Sequence, residues 1–251
     1  QFASTMIEEE KLDCHYIITN EAGASVYSAS KLAIDELPNL DVTIRGAVSI
    51  ARRVQDPLAE SVKIDPKSIG VGQYQHDVNQ KQLTHTLDQV VESVVNHVGV
   101  ELNTASPAIL QHIAGISGTV AKNIVAFRQE NGGFTSRKQL LKVPRLGPAA
   151  FTQCAGFLRL NGAKNPLDNT SVHPESYELA ERIIGELGFT LKDLQDKSQL
   201  EALQVKLPLV DVDKMAHKLD AGVPTVRDII AALAKPGRDP REDLPAPLTR
   251  K

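Results

Sequence analysis

One segment of the chain recurs at a constant offset of thirty residues, and this repeat restricts the fold more than any other feature. Residues 113–121 (IAGISGTVA) correspond to residues 143–151 (VPRLGPAAF). Each copy reads as a short helix, a glycine-containing hairpin and a second helix, so we expect a mainly helical core built from two similar units. The matched pairs are Ser106 and Ser136, Leu110 and Leu140, Ile113 and Val143, Ile116 and Leu146, and Phe127 and Phe157.

This pattern is the helix-hairpin-helix motif, whose hairpin is suited to binding a phosphate group. The start of a helix leaves about four backbone N–H groups without intrahelical partners, and the helix dipole adds partial positive charge there. A glycine turn just before the helix lets a phosphate approach the backbone closely. In the first copy Gly115 and Gly118 bracket the apolar anchor Ile116, and in the second copy Leu146 is the anchor and Gly147 the turn.

Basic side chains near both hairpins would add charge-assisted contacts to such a phosphate. Lys122 lies one turn into the second helix of the first copy, and the other three basic residues belong to the second copy. Because contacts to a nucleic-acid backbone position the partner without reading its bases, we expect binding that is independent of sequence. The candidate nucleic-acid-binding residues are Gly115, Ile116, Ser117, Gly118, Thr119, Lys122, Lys138, Lys142, Arg145, Leu146 and Gly147.

Each hairpin departs once from the usual motif, which has a glycine on both sides of the apolar anchor. The first copy has Gly115 and then Ser117, whereas the second has Arg145 and then Gly147. An alternative therefore stays open for each hairpin, in which it serves only helix packing or protein contact.

The charge distribution favours nucleic acid as the partner, although the net charge of the whole chain is −3. Residues 100–164 carry eight Lys and Arg against two Asp and Glu, a net charge of +6, whereas residues 1–99 have −6 and residues 165–251 have −3. The positive stretch coincides with the duplicated hairpins. A polyanion would be attracted there and repelled by the flanking segments, and this coincidence favours a polyanionic partner over a solvated basic face.

Composition restricts the remaining possibilities. The 251 residues suffice for two or three domains, and 41% apolar and 24% charged residues are ordinary for a globular protein. Neither an apolar run long enough to span a membrane nor a signal peptide is visible. Cys14 and Cys154 lie far apart and form no metal or disulfide pattern, which fits a reducing compartment. We expect a cytoplasmic monomer with no cofactor, no metal ion and no membrane association.

Outside the repeat, apolar periodicity predicts helices over residues 24–37, 42–54 and 83–98, and a β-like run over residues 15–19. The third of these helices has a continuous apolar stripe. Further helices are predicted from residue 173 to about 187, over 190–196 and over 226–233. The stripe consists of Leu87, Val90, Val91, Val94, Val95 and Val98.

Several longer runs are distinctive: residues 20–30 (NEAGASVYSAS), 45–53 (RGAVSIARR), 65–78 (DPKSIGVGQYQHDV), 142–147 (KVPRLG), 153–159 (QCAGFLR), 172–177 (VHPESY) and 235–241 (KPGRDPR). Together with the hairpins, these runs closely resemble the bacterial Tex family of transcription accessory proteins. The resemblance implies a helical N-terminal region, an RNase H-like (YqgF) domain, tandem helix-hairpin-helix motifs, a further helical piece and a C-terminal S1 domain of OB fold. It also implies nucleic-acid binding in transcription, and a eukaryotic elongation factor shares this architecture.

From the resemblance we expect a mainly α fold, with a tandem helix-hairpin-helix core, a helical C-terminal domain and the α/β tail of an RNase H-like domain. The strands that hold nuclease carboxylates in such a domain would precede this chain, so the resemblance transfers no catalytic residue. The expected domains are the C-terminal part of the YqgF-like domain at 1–63, a connecting helical segment at 64–99, the tandem helix-hairpin-helix domain at 100–163, a helical domain at 164–236 and a linker toward an absent S1 domain at 237–251.

Three functional hypotheses follow. The first is a non-enzymatic module that binds the DNA or RNA backbone without sequence preference, as part of a transcription accessory protein. The alternative is a protein-interaction scaffold in the transcription machinery, with RNA polymerase or another transcription protein as partner and purely structural hairpins. The third is a repair-type enzyme, because helix-hairpin-helix motifs often accompany glycosylases and nucleases. Residues 144–163 contain no Asp or Glu, which speaks against it.

Overall fold

Helices form almost all of the regular structure in the computed structural model, which describes residues 2–13 and 16–234. Within these residues the expectation of a mainly α fold is confirmed. The α-helices are α1 (Phe2–Glu9), α2 (Ala24–Ser28), α3 (Lys31–Glu36), α4 (Val42–Gln55), α5 (Pro57–Ser61), α6 (Pro66–Ile69), α7 (Gln80–Val98), α8 (Pro107–Leu110), α9 (Gly118–Asn131), α10 (Pro148–Cys154), α11 (Tyr177–Glu186), α12 (Lys197–Lys206), α13 (Val212–Leu219) and α14 (Val223–Ala234).

Short 3₁₀ helices and one small sheet complete the described structure. Strands β1 (Val100–Glu101) and β2 (Leu158–Arg159) pair in parallel, with Val100 opposite Leu158 and Glu101 opposite Arg159. This sheet was not predicted, since each strand has only two residues and no alternating pattern. The 3₁₀ helices are Arg137–Lys142, Ala155–Phe157, Pro166–Asn169, Pro174–Ser176, Leu191–Gln195 and Leu207–Leu209.

The chain divides into two compact units between Leu87 and Asp88, inside α7. The predicted domain boundary at residues 163 and 164 lies within the second unit, and the predicted linker at 237–251 lies outside the described residues. The domain boundaries taken from the sequence stay predictions. Among the described helices, none has the combination of length and apolar composition that a membrane crossing requires.

The first unit contains a buried network of polar side chains next to a small apolar cluster around Tyr27. The Tyr27 hydroxyl donates to Glu36 Oε2 at 2.5 Å, and Lys63 Nζ donates to the same oxygen at 3.0 Å. Lys63 Nζ also reaches Glu60 Oε1 at 2.8 Å, and Glu60 Oε2 accepts from Ser49 Oγ at 3.1 Å. Burial and the Glu36 carboxylate raise the pKa of Tyr27 well above its usual value. The network satisfies polar groups that would be costly to bury alone.

Two predicted elements of the first unit differ from the structure. The helix predicted over residues 24–37 is two helices, α2 and α3, because Ser30 caps α3 by accepting a hydrogen bond from the Ala33 amide at 3.2 Å. The β-like run is reduced to a single bridging residue, Tyr16, and residues 17–20 are irregular, while His15 lies outside the described residues. The helix predicted over 42–54 is confirmed as α4, which Asp41 caps.

The helix predicted over residues 83–98 is confirmed as α7, but its apolar stripe is only partly buried. Val95 is completely buried, whereas Val90 and Val94 stay 53% and 43% exposed. The apolar stripe that the sequence predicts is therefore left open to solvent at these two positions. An amphipathic pattern identifies a helix and its apolar face, but which part of that face is covered depends on the neighbouring elements.

The second unit contains the repeat, and the repeated apolar residues occupy equivalent buried positions. Their near-equal burial shows that the two copies fold alike. After the repeat, helices α11 to α14 enclose a separate apolar cluster that includes Ile183, Ile184, Leu203 and Leu233. Sequence reasoning missed α12 and α13. The exposed fractions of the matched pairs are 0% for Leu110 and Leu140, 2% and 3% for Ile113 and Val143, and 5% and 3% for Ile116 and Leu146.

A buried guanidinium joins the second copy of the repeat to the residues that follow it. Arg137 is fully buried and donates from Nη1 to the Val172 carbonyl at 2.8 Å and to the Tyr177 hydroxyl at 3.2 Å. Its Nη2 donates to the Thr170 carbonyl. Asp168 accepts from the Arg137 backbone amide at 3.1 Å and from the Tyr177 hydroxyl at 2.6 Å. Burial lowers the pKa of Arg137 and raises that of Tyr177.

Candidate nucleic-acid interface

The two hairpins of the repeat have the same backbone conformation. Gly115 and Arg145, thirty residues apart, both adopt the left-handed region, with φ of +80° and +67°. Two residues later, Ser117 and Gly147 are extended, with φ of −78° and −81°, and α9 and α10 begin at the following residue. The offset found in the sequence therefore extends to the backbone angles.

The first hairpin presents the start of a fourteen-residue helix to solvent. Ser117 caps α9, since its Oγ accepts from the Val120 amide at 3.3 Å. The backbone N–H groups of Ser117, Gly118 and Thr119 find no acceptor among the residues that the structure describes, and all three residues are exposed. Such free N–H groups at a helix start, with the helix dipole behind them, suit an anion.

The second hairpin offers fewer backbone donors. α10 has only seven residues and begins with Pro148, which has no N–H group. Gly147 supplies no capping side chain, and the N–H groups of Gly147 and Ala149 have no acceptor within the described part of the chain. A short helix with a proline at its start provides a weaker anion site than α9. Anion binding at the second hairpin would therefore depend more on the side chain of Arg145 than on backbone N–H groups.

Reciprocal contacts hold the hairpins next to each other. Asn123 Nδ2 on α9 donates to the Pro144 carbonyl in the second hairpin at 2.8 Å. Gln153 on α10 packs on the first hairpin so closely that a methyl group at Gly115 would lie 2.8 Å from Gln153 Cβ and 3.1 Å from the Ala150 carbonyl oxygen. Each hairpin thus rests on the second helix of the other copy, which is an approximate two-fold arrangement.

Sequence reasoning missed these two amide side chains. Asn123 and Gln153 are separated by the same thirty residues as the rest of the repeat, and both are amides. The signal that pairs them in the sequence is the occurrence of the same side-chain type, an amide, at two positions thirty residues apart.

The four predicted basic residues are all exposed, and the described residues offer none of them an ion-pair partner or a side-chain hydrogen bond. Lys122 adjoins Asn123 and Arg145 adjoins Pro144, so these two cations flank the contact between α9 and the second hairpin. Lys142 directly precedes that hairpin, whereas Lys138 lies near the opposite end of the same 3₁₀ helix. Three of the four cations therefore lie within a few residues of the hairpin turns along the chain.

Three other arginines of the positive stretch have structural roles. Arg128 donates to the carbonyl oxygens of Leu102 and Ala105 at 3.0 and 2.9 Å, and Arg137 is the buried guanidinium described above. Burial lowers the pKa of Arg159 to about 10. The charge count of +6 therefore overstates the positive charge that a ligand meets, because three of its eight cations are directed inward.

Side chains of α7 hold the first hairpin from the other side. Asn96 Nδ2 donates to the His112 carbonyl, and Asn96 Oδ1 accepts from the Ala114 amide, both at 3.1 Å. Burial lowers the pKa of His112, although Asp88 and Glu92 oppose this effect. A neutral His112 means that this side of the hairpin adds no positive charge near pH 7.

Sequence comparisons give three matches to family models and several curated relatives. Residues 1–55 match the Tex protein YqgF-like domain, residues 95–159 the helix-hairpin-helix motif and residues 165–241 the HHH domain. The chain is 59% identical over 234 residues to protein YhgF of Escherichia coli, and 56% identical over 227 residues to transcriptional accessory protein Tex of Neisseria gonorrhoeae. The chain belongs to the Tex family. The resemblance predicted from the sequence is thus confirmed.

The Tex-family relatives extend to eukaryotes and are much longer than this chain. S1 RNA-binding domain-containing protein 1 of Homo sapiens is 42% identical over 273 residues. The alignments with the E. coli, N. gonorrhoeae and human proteins cover 93%, 90% and 90% of this chain but 29%, 29% and 27% of the relatives. The chain therefore spans less than a third of the length of these relatives.

The region that matches the HHH domain, residues 165–241, contains two further hairpins that sequence reasoning missed. Gly188 and Asp220 both have positive φ, +85° and +50°, and each precedes an apolar residue that packs on the core, Phe189 or Ala221. The Phe189 amide donates to the Ile184 carbonyl and the Ala221 amide to the Ala216 carbonyl, at 3.1 and 3.0 Å. These two hairpins are related to each other by an offset of thirty-two residues.

The surroundings of this second pair are acidic. The backbone amide and hydroxyl of Thr190 both donate to the Asp193 carboxylate, at 2.7 and 2.9 Å, so a side chain of the protein already occupies the helix start. Asp220 places a carboxylate at the position that Gly115 and Arg145 hold in the first pair. Residues 165–234 carry seven Lys and Arg against twelve Asp and Glu, a net charge of −5. This environment repels a polyanion.

Proposed function

We propose that this Tex-family chain binds nucleic acid through the phosphate backbone, without sequence preference and without enzymatic activity, as part of a transcription accessory protein. The observation that carries the proposal is the pair of hairpins in reciprocal contact, with N–H groups at α9 and cations beside both turns that have no partner within residues 2–13 and 16–234. The relatives named transcriptional accessory protein Tex and S1 RNA-binding domain-containing protein 1 support it.

The chemistry of the site favours the backbone over the bases. It consists of amide N–H groups, two exposed lysines near the turns and Arg145, all of which pair well with phosphate oxygens. The apolar anchors Ile116 and Leu146 are buried, so they position the hairpins and are shielded from a ligand. Of the eleven candidate residues, we propose these two as supports and the others as contacts.

The approximate two-fold arrangement favours a double-stranded partner. The two backbones of a duplex are themselves related by two-fold axes, and a protein with matching symmetry presents equivalent groups to both strands. We propose that one hairpin faces each strand. A single strand runs in one direction only, so it would fit only one of the two hairpins in the way that a duplex fits both.

Fluorescence anisotropy tests the proposal with the whole 251-residue chain and labelled short DNA and RNA, each single- and double-stranded, at several salt concentrations. We expect tighter binding of duplexes. We also expect log K to fall with log salt at a slope of about −3, because the three cations close to the hairpins would release counterions. Absence of binding at low salt would overturn the proposal and favour the protein scaffold.

A matched pair of charge reversals separates a site from general charge attraction. Lys122→Glu with Arg145→Glu should lower duplex affinity by about tenfold or more. Lys197→Glu with Arg227→Glu makes the same change in net charge on exposed residues of the acidic region and should change it far less. Equal losses from the two double variants would contradict the proposed site.

The proposal also includes a second partner, RNA polymerase or another transcription protein, and a monomeric chain in the cytoplasm. Light scattering of the purified chain measures its mass, and a mass of two chains would contradict the monomer. Incubation of labelled duplex with the chain, followed by sequencing gels, tests the absence of cleavage or base excision.

A further inference from the structure

The acidic region, residues 165–234, contains a groove that has no part in the proposed nucleic-acid binding. It has a volume of about 450 Å³ and lies between the end of α11, the 3₁₀ helix Leu207–Leu209 and α13. Its apolar lining comes from Leu187, Leu209, Val210 and Met215, and three lysines stand around it. All of these residues belong to the second compact unit.

The apolar part of the groove is open to a partner. Leu209 is 80% exposed, an unusual degree of exposure for a leucine in an ordered helix, while Leu187, Val210 and Met215 are half-buried. An exposed apolar side chain beside a concave apolar surface is typical of an interaction site. Met215 adds an adaptable side chain, because methionine adjusts its shape to different partners.

The lysines around the groove make it more positive than its surroundings. Lys206 Nζ donates to the Leu187 carbonyl at 3.1 Å and lies 4.7 Å from the centre of the Phe189 ring. Lys214 pairs with Asp211 at 3.1 Å, with 86% of its side chain exposed, and Lys218 pairs with Glu186. Three lysines against two carboxylates leave a net charge of +1 at the groove, within a region of net charge −5.

We propose that this groove binds a short segment of a protein partner that carries an apolar side chain flanked by Asp or Glu. The apolar side chain fills the groove against Met215 and Leu209, and the carboxylates bind Lys206 and Lys214 at its edge. Apolar burial supplies affinity, and the lysines select the acidic sequence. This protein site is separate from the Gly115 and Arg145 hairpins of the nucleic-acid proposal, so its test is independent of that proposal.

A nucleic acid fits the same groove less well. Single strands bind through aromatic side chains on which bases stack, and the residues that line this groove are aliphatic, charged or methionine. The net negative charge of residues 165–234 also opposes the approach of a polyanion, whereas a short peptide with two carboxylates experiences much less repulsion.

Selection from a random peptide library displayed on phage, with the whole chain as bait, tests the proposal. We expect enrichment of peptides with Leu, Met or Phe flanked by Asp or Glu. An enriched peptide, synthesised with a fluorescent label, is then titrated by anisotropy against wild type and variants. Leu209→Ser and Lys214→Glu change exposed side chains, so both should fold, and each should weaken binding by about fivefold or more.

Matched controls use residues of the same type outside the groove. Val205→Ser removes an apolar side chain that is 70% exposed one helical turn before Leu209, and Lys197→Glu reverses an exposed lysine on α12. Both should leave peptide affinity unchanged. Lys214→Arg should retain binding, and replacing the acidic residues of the peptide by their amides should weaken it.

Three results would overturn the proposal. The first is a selection that enriches no peptide over an unrelated bait, and the second is an enriched set without acidic residues or without sensitivity to Leu209→Ser and Lys214→Glu. The third is competition by short single-stranded DNA or RNA that is lost in Leu209→Ser, because the occupant would then be a nucleic acid.

Discussion

The two helix-hairpin-helix regions of the chain, residues 100–164 and 165–234, share a turn and differ in what surrounds it. In both, a residue with positive φ precedes a core-packed apolar side chain and then the start of a helix. In the first region the turn residues are Gly115 and Arg145, beside exposed lysines. In the second they are Gly188, which is followed by the Asp193-capped helix start, and Asp220, which is itself acidic.

This difference teaches that the motif specifies a backbone, and that the neighbouring side chains decide whether the backbone is available to a ligand. The free N–H groups at α9 and the Asp193-capped start of the 3₁₀ helix Leu191–Gln195 are two outcomes of the same geometry. A helix start attracts any carboxylate or phosphate within reach. Where a carboxylate of the chain already accepts from an N–H group at a helix start, that group is no longer available to a phosphate.

The largest expected effect concerns the connection between the regions. Arg137→Met should lower the free energy of unfolding by about 3–5 kcal/mol, because it removes a fully buried cation from the Asp168 and Tyr177 network. Urea titration followed by circular dichroism measures it, and Lys138→Met, at the exposed neighbour, is the control. A loss as small as that of the control would mean that the two regions are stable independently.

Alanine at Gly115 and Gly188, the left-handed glycines of the hairpin turns, compares the cost of steric contact with that of backbone strain. Gly188→Ala meets no atom within 4 Å and should cost about 1–2 kcal/mol from its positive φ alone. Gly115→Ala has the same strain and also contacts Gln153, so it should cost about 1–3 kcal/mol more in thermal or urea unfolding. Equal losses would show that the first hairpin does not rest on α10 as described.

Glycine at the two other left-handed positions separates stability from binding. Arg145 and Asp220, the two hairpin turn residues other than glycine, hold a conformation that favours glycine. Each change to glycine should raise unfolding free energy by about 0.5–1 kcal/mol. Only Arg145→Gly should also weaken duplex binding, by about threefold to tenfold. Unchanged duplex affinity in Arg145→Gly would indicate that Arg145 is strained for a reason other than phosphate contact.

The smallest expected effect comes from placing an arginine in the acidic region. Asp220→Arg gives the Asp220 turn the residue that Arg145 provides in the second hairpin. Duplex affinity should rise by no more than about twofold, because Asp193 and the surrounding net negative charge remain. Anisotropy titration at low salt measures the change. A rise similar to the loss in Arg145→Gly would show that one residue accounts for the difference between the regions.

The sequence was sufficient for the parts of the fold that depend on local order. The thirty-residue offset predicted both hairpins and their buried anchors Ile116 and Leu146. Outside the repeat, apolar periodicity predicted α4 and α7. These features follow from apolar periodicity, glycine positions and capping side chains, all of which act within a few residues.

Features that depend on residues far apart in the chain could not be predicted from the sequence. The net charge of +6 includes Arg128, Arg137 and Arg159 as if they could bind a ligand, although all three donate to carbonyl groups of the protein itself. The sheet of β1 and β2 joins residues fifty-eight positions apart, from Val100 to Leu158. Neither fact has a local signal, because a long basic side chain looks the same in the sequence whether it points into the protein or into solvent.

By itself, the sequence determined that this chain contains two copies of a phosphate-type hairpin in its most basic stretch, because repeats, glycines and charges are read directly from residue order. The tertiary structure alone decided that the hairpins lie side by side through Asn123 and Gln153, and that Lys122 and Arg145 flank that contact. It also decided that the Asp193 carboxylate accepts from the Thr190 amide at the helix start that follows Gly188. Packing between distant segments sets these relations, since it determines which side chains stay free to meet a partner.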